Sequence, residues 1–143
     1  MKLVKIIFVL LIAFNGYSIK AQVSSSYYSS ISFSKIGVGY EFSNRLWSDI
    51  RMYGGLTVED FTIEPILAYN YVSKADYDLY FGAGFTINYL TGPIFPIGLR
   101  IKPFEQYKNI KLHIEAEPNY NLDSEEILFY CSVGIRYVFE KKE

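Results

Sequence analysis

The residues best suited to chemistry are gathered towards the carboxyl end of the chain. His113, Glu115 and Glu117 alternate along one stretch, and Ser132 follows in the next. A histidine, a carboxylate and a serine are the residue types of a hydrolytic triad. These residues also share their parity with basic residues, and mixed charges on one face most simply neutralise one another. The sequence therefore predicts a charge network here, and we do not expect the protein to be an enzyme.

The residue types for metal or cofactor binding do not converge in the sequence. His113 and Cys131 have opposite parity in their stretches and would point to opposite faces. Asp76 and Asp78 could bind calcium weakly, but no 12-residue ligand loop surrounds them. The Gly-x-Gly pairs are not phosphate loops, because no helix is predicted after them, and we expect them to relieve crowding. The sequence predicts neither a metal nor a cofactor.

The elements that carry the charged residues are two alternating stretches. In Ile110–Tyr120 and again in Phe129–Phe139, apolar residues alternate with polar or charged ones, and a polar turn at Asn121–Glu126 separates the stretches. A period of two is typical of a strand that lies between an apolar and a polar environment. The apolar face could meet lipid or could line a soluble core, so the alternation alone leaves both arrangements open.

The first 21 residues have the features of a secretory signal peptide. Lys2 and Lys5 precede an apolar run, Ile6–Phe14, that is shorter than the roughly 20 residues needed to span a bilayer as a helix. Ala21 is a small residue suited to the position before cleavage. We therefore predict a signal peptide over 1–21 and a single exported domain over 22–143.

The composition of the predicted mature chain limits its partners. Without residues 1–21 it has 11 basic and 15 acidic residues, a net charge of −4. Nucleic acids require clustered basic residues, so this balance argues against a nucleic-acid partner. Cys131 is the only cysteine and cannot form an internal disulfide. Aromatic residues make up 18% of the chain, mostly Tyr and Phe, which suits a membrane-interface belt or a barrel wall.

The last predicted strand has a polar residue, then a glycine two positions on, then two aromatic residues, at Ser132, Gly134, Tyr137 and Phe139. This pattern resembles the terminal strand of outer-membrane β-barrel proteins of Gram-negative bacteria. In that family the barrel-assembly machinery reads this strand, so the resemblance implies that these four residues are an assembly signal. It also implies a location in the outer membrane. The charged residues after Phe139 depart from the pattern, since many members of the family end on the aromatic residue.

The resemblance and the alternation together predict an all-β, antiparallel, up-and-down transmembrane β-barrel. Seven strands are evident, and bacterial barrels have even strand numbers. We expect the eighth strand in Val23–Ser34, because the phase of alternation changes near Lys35 and indicates a bulge or a break there. Pro65 and Pro118 cannot donate to a ladder and are expected at strand ends or bulges.

In an eight-stranded barrel the polar faces would fill the lumen with side chains. Asp49, Arg51 and Glu64 have the inward parity in earlier strands, and strand pairing predicts Arg100 and Arg136 beside Glu115 or Glu117. A narrow or gated pore built from the same ion pairs is the other interpretation. The predicted lumen charge network comprises Arg100, Lys102, Lys111, His113, Glu115, Glu117 and Arg136.

The sequence thus predicts a small, non-enzymatic outer-membrane barrel of eight strands, with a structural or surface-interaction role. Its expected partners are outer-membrane lipid and the barrel-assembly machinery, and we expect a monomer. The loops predicted at Ser73–Asp78 and Phe104–Asn109 are short, which weakens the case for an adhesin. The alternative is a soluble periplasmic β-barrel that binds an apolar small molecule. In that case the apolar face of Ile110–Tyr120 would line a cavity, and the charged face would meet water.

Overall fold

The computed structural model describes residues 22–55 and 61–139, and the predicted signal peptide lies outside these ranges. No helix in this part of the chain is long and apolar enough to cross a membrane. The described residues form β1 (Gln22–Ser30), β2 (Ser34–Glu41), β3 (Leu46–Gly54), β4 (Ile63–Ser73), β5 (Tyr77–Thr86), β6 (Gly92–Ile94), β7 (Ile97–Ile101), β8 (Ile110–Asn121) and β9 (Glu126–Val138).

The strands form a closed antiparallel barrel in which neighbouring strands of the wall follow one another along the chain. The barrel closes where β1 pairs with β9, from Ser24 opposite Val138 to Ser30 opposite Ser132. β6 and β7 both lie between β5 and β8, and together they make one wall strand that is interrupted at residues 95–96. The wall therefore has eight strands, which confirms the predicted fold class.

The eighth strand is β1, within the predicted segment Val23–Ser34. The change of phase near Lys35 comes from a tight turn between β1 and β2, in which the Ser30 amide donates to the Phe33 carbonyl at 3.0 Å. It is therefore a strand break rather than a bulge. The predicted loop Ser73–Asp78 is shorter than expected, because Ser73 already pairs with Asp78 across the β4–β5 hairpin. The turn itself is residues 74–76.

The prolines lie within strands, where pairing on one side is interrupted. Pro65 is opposite Ile50 of β3, but on its β5 side continuous pairing begins only at Ile66. Pro118 is opposite Phe129 of β9, and its carbonyl accepts from the Phe95 amide at 3.1 Å in the gap between β6 and β7. The closed wall thus accommodates both prolines beside gaps in pairing, without placing them at strand ends.

The two ends of the barrel differ in which turns they carry. One end, here called the terminal rim, holds the ends of the described chain near Gln22 and Phe139, where the Phe139 amide donates to the Val23 carbonyl at 2.8 Å. The β2–β3 turn, the β4–β5 turn and the β7–β8 loop lie at the same end. The opposite end, the far rim, holds the other hairpin connections.

Polarity across the wall is the reverse of that in a soluble domain. Along the longer strands one parity is buried and largely polar, and the other is exposed and largely apolar. The buried acidic and basic side chains, with histidine counted among them, are Lys35, Glu41, Asp49, Arg51, Glu64, Asp78, Arg100, Lys111, His113, Glu115, Glu117 and Arg136. The exposed apolar side chains include Ile36, Val38, Ile50, Met52, Leu67, Phe81, Ile97, Ile114, Val133 and Ile135.

Glycines on the inner face make room for these large side chains. A β carbon at Gly37 would lie 3.0 Å from Asp49 Oδ1, and one at Gly39 would lie 2.6 Å from Arg136 Nη1. Real β carbons essentially never approach other atoms as closely as 2.6 Å. The Gly37-x-Gly39 pair therefore leaves the space that Asp49 and Arg136 occupy, in line with the expected relief of crowding.

Substitution of Gly98 by alanine should destabilise the barrel. A β carbon there would lie 2.5 Å from Cζ of Tyr80, which is fully buried and hydrogen-bonded to Glu115 and so has little freedom to move. We expect Gly98→Ala to lower the free energy of unfolding by about 1–3 kcal/mol in urea titrations in detergent micelles. Ala83→Val adds carbon on the outer face of β5 and should change it by less than about 0.5 kcal/mol. Equal stability of the two variants would contradict a tightly filled lumen around Tyr80.

Candidate functional site: the charged lumen

The centre of the lumen is organised around the guanidinium of Arg51. Arg51 lies in β3 and is fully buried. Its Nη2 donates to Glu115 Oε2 at 2.9 Å, its Nη1 donates to the other Glu115 oxygen, and its Nε donates to Asp49 Oδ2 at 3.0 Å. A two-point arginine–carboxylate contact is among the strongest polar contacts available to side chains. It links β3 to β8 across the lumen.

A second basic group in the central part of the lumen, Lys35 of β2, is held between two carboxylates. Its Nζ lies 2.9 Å from Glu64 Oε1 on β4 and 2.8 Å from Glu117 Oε1 on β8. The hydroxyl of Tyr53 also donates to Glu64 at 2.7 Å. One lysine therefore ties three strands together near the far-rim side of the central cluster.

Arg136 of β9 completes the central cluster. Its Nη2 donates to Asp49 Oδ2 at 2.7 Å, and its Nη1 donates to the Ser24 hydroxyl at 2.8 Å. Asp49 thus lies between Arg136 and Arg51, which joins the closing strand to the same network. The central cluster consists of Lys35, Asp49, Arg51, Glu64, Glu115, Glu117 and Arg136.

Aromatic rings fill the space between these ion pairs. The guanidinium of Arg51 lies 4.0 Å from the centre of the Tyr28 ring, and that of Arg136 lies 4.4 Å from the centre of the Trp47 ring. Such contacts stabilise a cation most strongly when water is excluded. His113 packs edge-on against the Tyr28 ring at 5.4 Å and is fully buried. Aromatic rings and ion pairs together exclude solvent from Arg51, Arg136 and His113.

A separate group of charges lies towards the terminal rim. Arg100 donates to Glu41 at 3.1 Å and to Asp78 at 3.0 Å, and Lys111 lies 3.0 Å from Glu41 Oε2. Lys102 is partly exposed, with 17% of its side chain accessible, and it lies 3.0 Å from Asp78 Oδ1. These five residues form the rim cluster, which uses partners different from those of the central cluster.

All seven residues of the predicted charge network lie inside the barrel wall or at its mouth, but two of the expected pairings are wrong. Arg100 and Arg136 do not lie beside Glu115 or Glu117. The strand register instead places Glu115 between Gly98 and Ser132. Glu115 and Glu117 reach across the lumen to the cations of β3 and β2, because the barrel is narrow enough for opposite strands to meet.

Three participants in the network are absent from the predicted inward set. Lys35 lies at the predicted strand break, Glu41 has no predicted inward role, and Asp78 belongs to a predicted loop. The signal for all three was parity, since Lys35 and Glu41 alternate in phase with Gly37 and Gly39, and Asp78 is in phase with the buried Tyr80. The alternation predicts an inward orientation for these three residues only if β2 and β5 are extended to the ends that the structure shows.

The residues of the predicted assembly signal lie on both faces of β9. Gly134 is buried and Ser132 is half-buried on the inner face, whereas Tyr137 and Phe139 are exposed on the outer face. The two aromatic rings contact each other edge-on at 5.1 Å. This strand closes the wall against β1, so the segment expected to be read during assembly is also the one that closes the barrel.

The geometry gives His113 no catalytic arrangement. Its Nδ1 lies 3.3 Å from the hydroxyls of both Tyr28 and Tyr80, and its Nε2 has no hydrogen-bond partner. Ser132 is opposite Glu115 in the strand register, whereas His113 is opposite Gly134. No group of three potential ligands in the described residues could hold a metal ion. Among the described residues, the arrangement neutralises charge and fills space.

The Arg51–Glu115 contact should be the most costly polar contact to break. Arg51→Met leaves the buried Glu115 without its cation, whereas Asp49 keeps Arg136 as a partner, so we expect about 3–5 kcal/mol of destabilisation, measured by unfolding in detergent micelles. The double variant Arg51→Met/Glu115→Leu should lose less than the sum of the two single changes, because neither charge is stranded. Lys102→Met is the matched control and should cost at most about 1 kcal/mol, since Asp78 keeps Arg100 as its partner. Additive losses in the double variant would contradict direct coupling.

Comparison with known proteins supports the fold. No family model matches the sequence, and no curated protein is significantly similar to it. The N-terminal β-barrel domain of Pseudomonas aeruginosa OprF superposes with a TM-score of 0.61 at 13% identity, over 83% of this chain and 96% of that chain. Two de novo designs are also similar, one described as a designed transmembrane β-barrel (TM-score 0.57, 18% identity, 83% and 94% coverage) and one named TMB2.3 (0.58, 15%, 86% and 96%). The chain therefore has the fold of transmembrane β-barrels.

Proposed function

We propose that this protein is a non-enzymatic outer-membrane β-barrel with a closed, side-chain-filled lumen and a structural or surface-interaction role. The observation that carries the proposal is the reversed polarity of the wall. In β8, Ile114 is 54% exposed, whereas its neighbours His113 and Glu115 are 0% and 2% exposed. An apolar outer surface repeated around the wall is stable in lipid and costly in water.

The outer surface is graded in the way a bilayer favours. Aliphatic side chains such as Ile50, Leu67 and Val133 lie along the middle of the wall. Aromatic side chains lie towards both rims, where amphipathic rings suit the headgroup region. Near the terminal rim these are Tyr40, Tyr69, Tyr71, Tyr137 and Phe139, and near the far rim they are Phe61, Phe85, Tyr89, Tyr120 and Phe129.

The strand lengths suit a bilayer as well. A tilted transmembrane strand needs about 9–11 residues. β4 has 11 residues and β5 has 10. β8 and β9 are slightly longer, with 12 and 13 residues. β1 and β3 have 9 residues each and β2 has 8, so most of the wall matches this length and β2 falls just below it.

The packed lumen supports a role other than conduction. Arg51, Arg136, Trp47, Tyr80 and His113 are each less than 2% exposed, and they come from four strands around the barrel. Because water cannot reach these side chains, no aqueous path passes through the part of the lumen that they occupy. Each cation of the central cluster is held by three or more hydrogen bonds, which favours a static plug over a gate.

Export and assembly follow from sequence features outside the lumen. The predicted signal peptide over 1–21 would direct the chain across the inner membrane, and the barrel-assembly machinery would read β9. Outer-membrane lipid would then surround the apolar wall. The described strands pair within a single chain and close on themselves, which supports a monomer.

The soluble periplasmic alternative requires the opposite arrangement. The apolar face of Ile110–Tyr120 would have to line an inner cavity, with His113, Glu115 and Glu117 in water. In the structure those three are buried, and Leu112 and Ile114 are exposed. The interior holds ion pairs where an apolar ligand would have to bind.

Fractionation of expressing cells tests the proposed location. We expect the protein in the outer-membrane fraction, and we expect the detergent-extracted barrel to migrate faster in electrophoresis before boiling than after, since a closed barrel stays compact until heated. Recovery in the soluble periplasmic fraction without a heat-dependent shift would overturn the proposal.

Ile114→Arg should lower the free energy of unfolding in lipid by about 2–4 kcal/mol, because it places a charge on the lipid-facing surface. Ser124→Arg in the exposed β8–β9 turn is the matched control and should leave that free energy unchanged.

Planar-bilayer recording tests the filled lumen. We expect the reconstituted wild-type protein to give no current steps above those of the bare bilayer, because charged and aromatic side chains occupy its cross-section. A water-filled porin added to the same bilayer serves as the positive control. Reproducible steps from the wild-type barrel that change with Arg51→Met would favour the narrow-pore interpretation instead.

A further inference from the structure

An open cavity of about 290 Å³ lies at the terminal rim. Its walls come from four separate parts of the barrel: the end of β2 with the β2–β3 turn, the β4–β5 turn, the end of β7, and the β7–β8 loop with the start of β8. The lining residues are Glu41, Asn44, Ser73, Lys74, Ala75, Arg100, Lys102, Lys108 and Lys111. Five of these nine are basic and one is acidic, so the cavity is strongly biased towards positive charge.

The acids near this cavity are already engaged. Glu41 is shared by Arg100 and Lys111, and Asp78, just behind the lining, is shared by Arg100 and Lys102. Two carboxylates therefore serve three cations. Arg100 is itself buried, with only 2% of its side chain accessible, which fixes a cation at the floor of the cavity.

Two further lysines add charge without adding partners. Lys74 and Lys108 line the cavity from the β4–β5 turn and the β7–β8 loop, and neither forms an ion pair with any described residue. The acids in the same two connections, Asp76 and Glu105, are exposed and do not line the cavity. With Glu41 and Asp78 counted, the five cations of the cavity leave a surplus of three positive charges.

We propose that this cavity binds a phosphate group. Phosphate carries a charge of about −1.5 to −2 near neutral pH and offers several strong acceptor oxygens. Ammonium and guanidinium donors that approach from several sides match that demand better than they match a single carboxylate. Lys74 and Lys108 would supply the unpaired charge, and Lys102, Arg100 and Lys111 would supply fixed positive charge beneath them.

The phosphate could belong to a lipid headgroup or to a soluble phosphate. The cavity opens at the rim where aromatic side chains mark the edge of the apolar wall, so a headgroup in the adjoining leaflet lies close to it. A soluble phosphate would enter from the water above the rim. Both sources present the same chemistry to the lysines, and the site does not depend on whether the lumen conducts.

Phosphate titration of the folded barrel tests the site. The protein is refolded in an uncharged maltoside detergent at low salt, and inorganic phosphate is titrated while binding is followed by calorimetry or by ³¹P NMR. We expect saturable binding that Lys74→Gln and Lys108→Gln each weaken by about threefold to fivefold, as for a partly exposed charged contact. The heat-dependent shift in electrophoresis confirms that each variant is folded.

Arg45→Gln is the matched control, since Arg45 is an exposed cation in the β2–β3 turn at the same rim but does not line the cavity. It should leave phosphate binding unchanged. Binding that never saturates, or that falls equally in all three variants, would reduce the effect to general attraction by a basic rim and overturn the site. An anionic phospholipid in mixed micelles that displaces bound phosphate would identify a headgroup as the ligand, whereas a phospholipid without effect would identify a soluble phosphate.

Discussion

The structure depends on neutralising the charged side chains that fill a narrow barrel, in whose centre they have no contact with water. An isolated ion in such an interior would cost many kcal/mol, so each buried charge needs a partner with good geometry. Arg51 meets this requirement with Glu115 and Asp49, and Lys35 does so with Glu64 and Glu117. Because the partners lie on opposite strands, the same contacts that satisfy the charges also brace the barrel across its diameter.

Reversed polarity links this interior to the outer surface. The alternation of side chains along each strand sends every second residue inward, so a wall that is apolar outside can hold a polar interior with no change of backbone. The glycines of β2 and β7 follow from the same constraint, since a lumen filled with arginine, tryptophan and tyrosine leaves no space for a β carbon at Gly39 or Gly98. The lipid-facing surface and the packing of the lumen thus both result from the alternation of side chains along each strand.

Strand parity made much of this predictable from the sequence. The all-β class, the eighth strand in Val23–Ser34 and the inward parity of the charged residues follow from a period of two, which depends only on local backbone geometry. The ion-pair partners could not be predicted from the sequence. Glu115 pairs with Arg51 across the lumen, and the register of adjacent strands gives no information about contacts between strands that are not adjacent. Strand ends were also missed, as at Asp78, where a polar residue next to a turn looks like part of the loop. The basic cavity joins four turns or strand ends that are remote in sequence, so only the closed barrel reveals it.

The gap between β6 and β7 makes the wall uneven around its circumference. β8 and β9 share twelve paired positions, whereas β6 and β8 share one, Ile94 opposite Asn119. Pro96 and Pro118 remove backbone donors beside that gap, Pro93 lies in β6 next to it, and Pro65 lies two strands away in β4. Resistance to shear between neighbouring strands is therefore lowest along this line, and a sideways force on the barrel would part the wall there before it parted the β1–β9 closure.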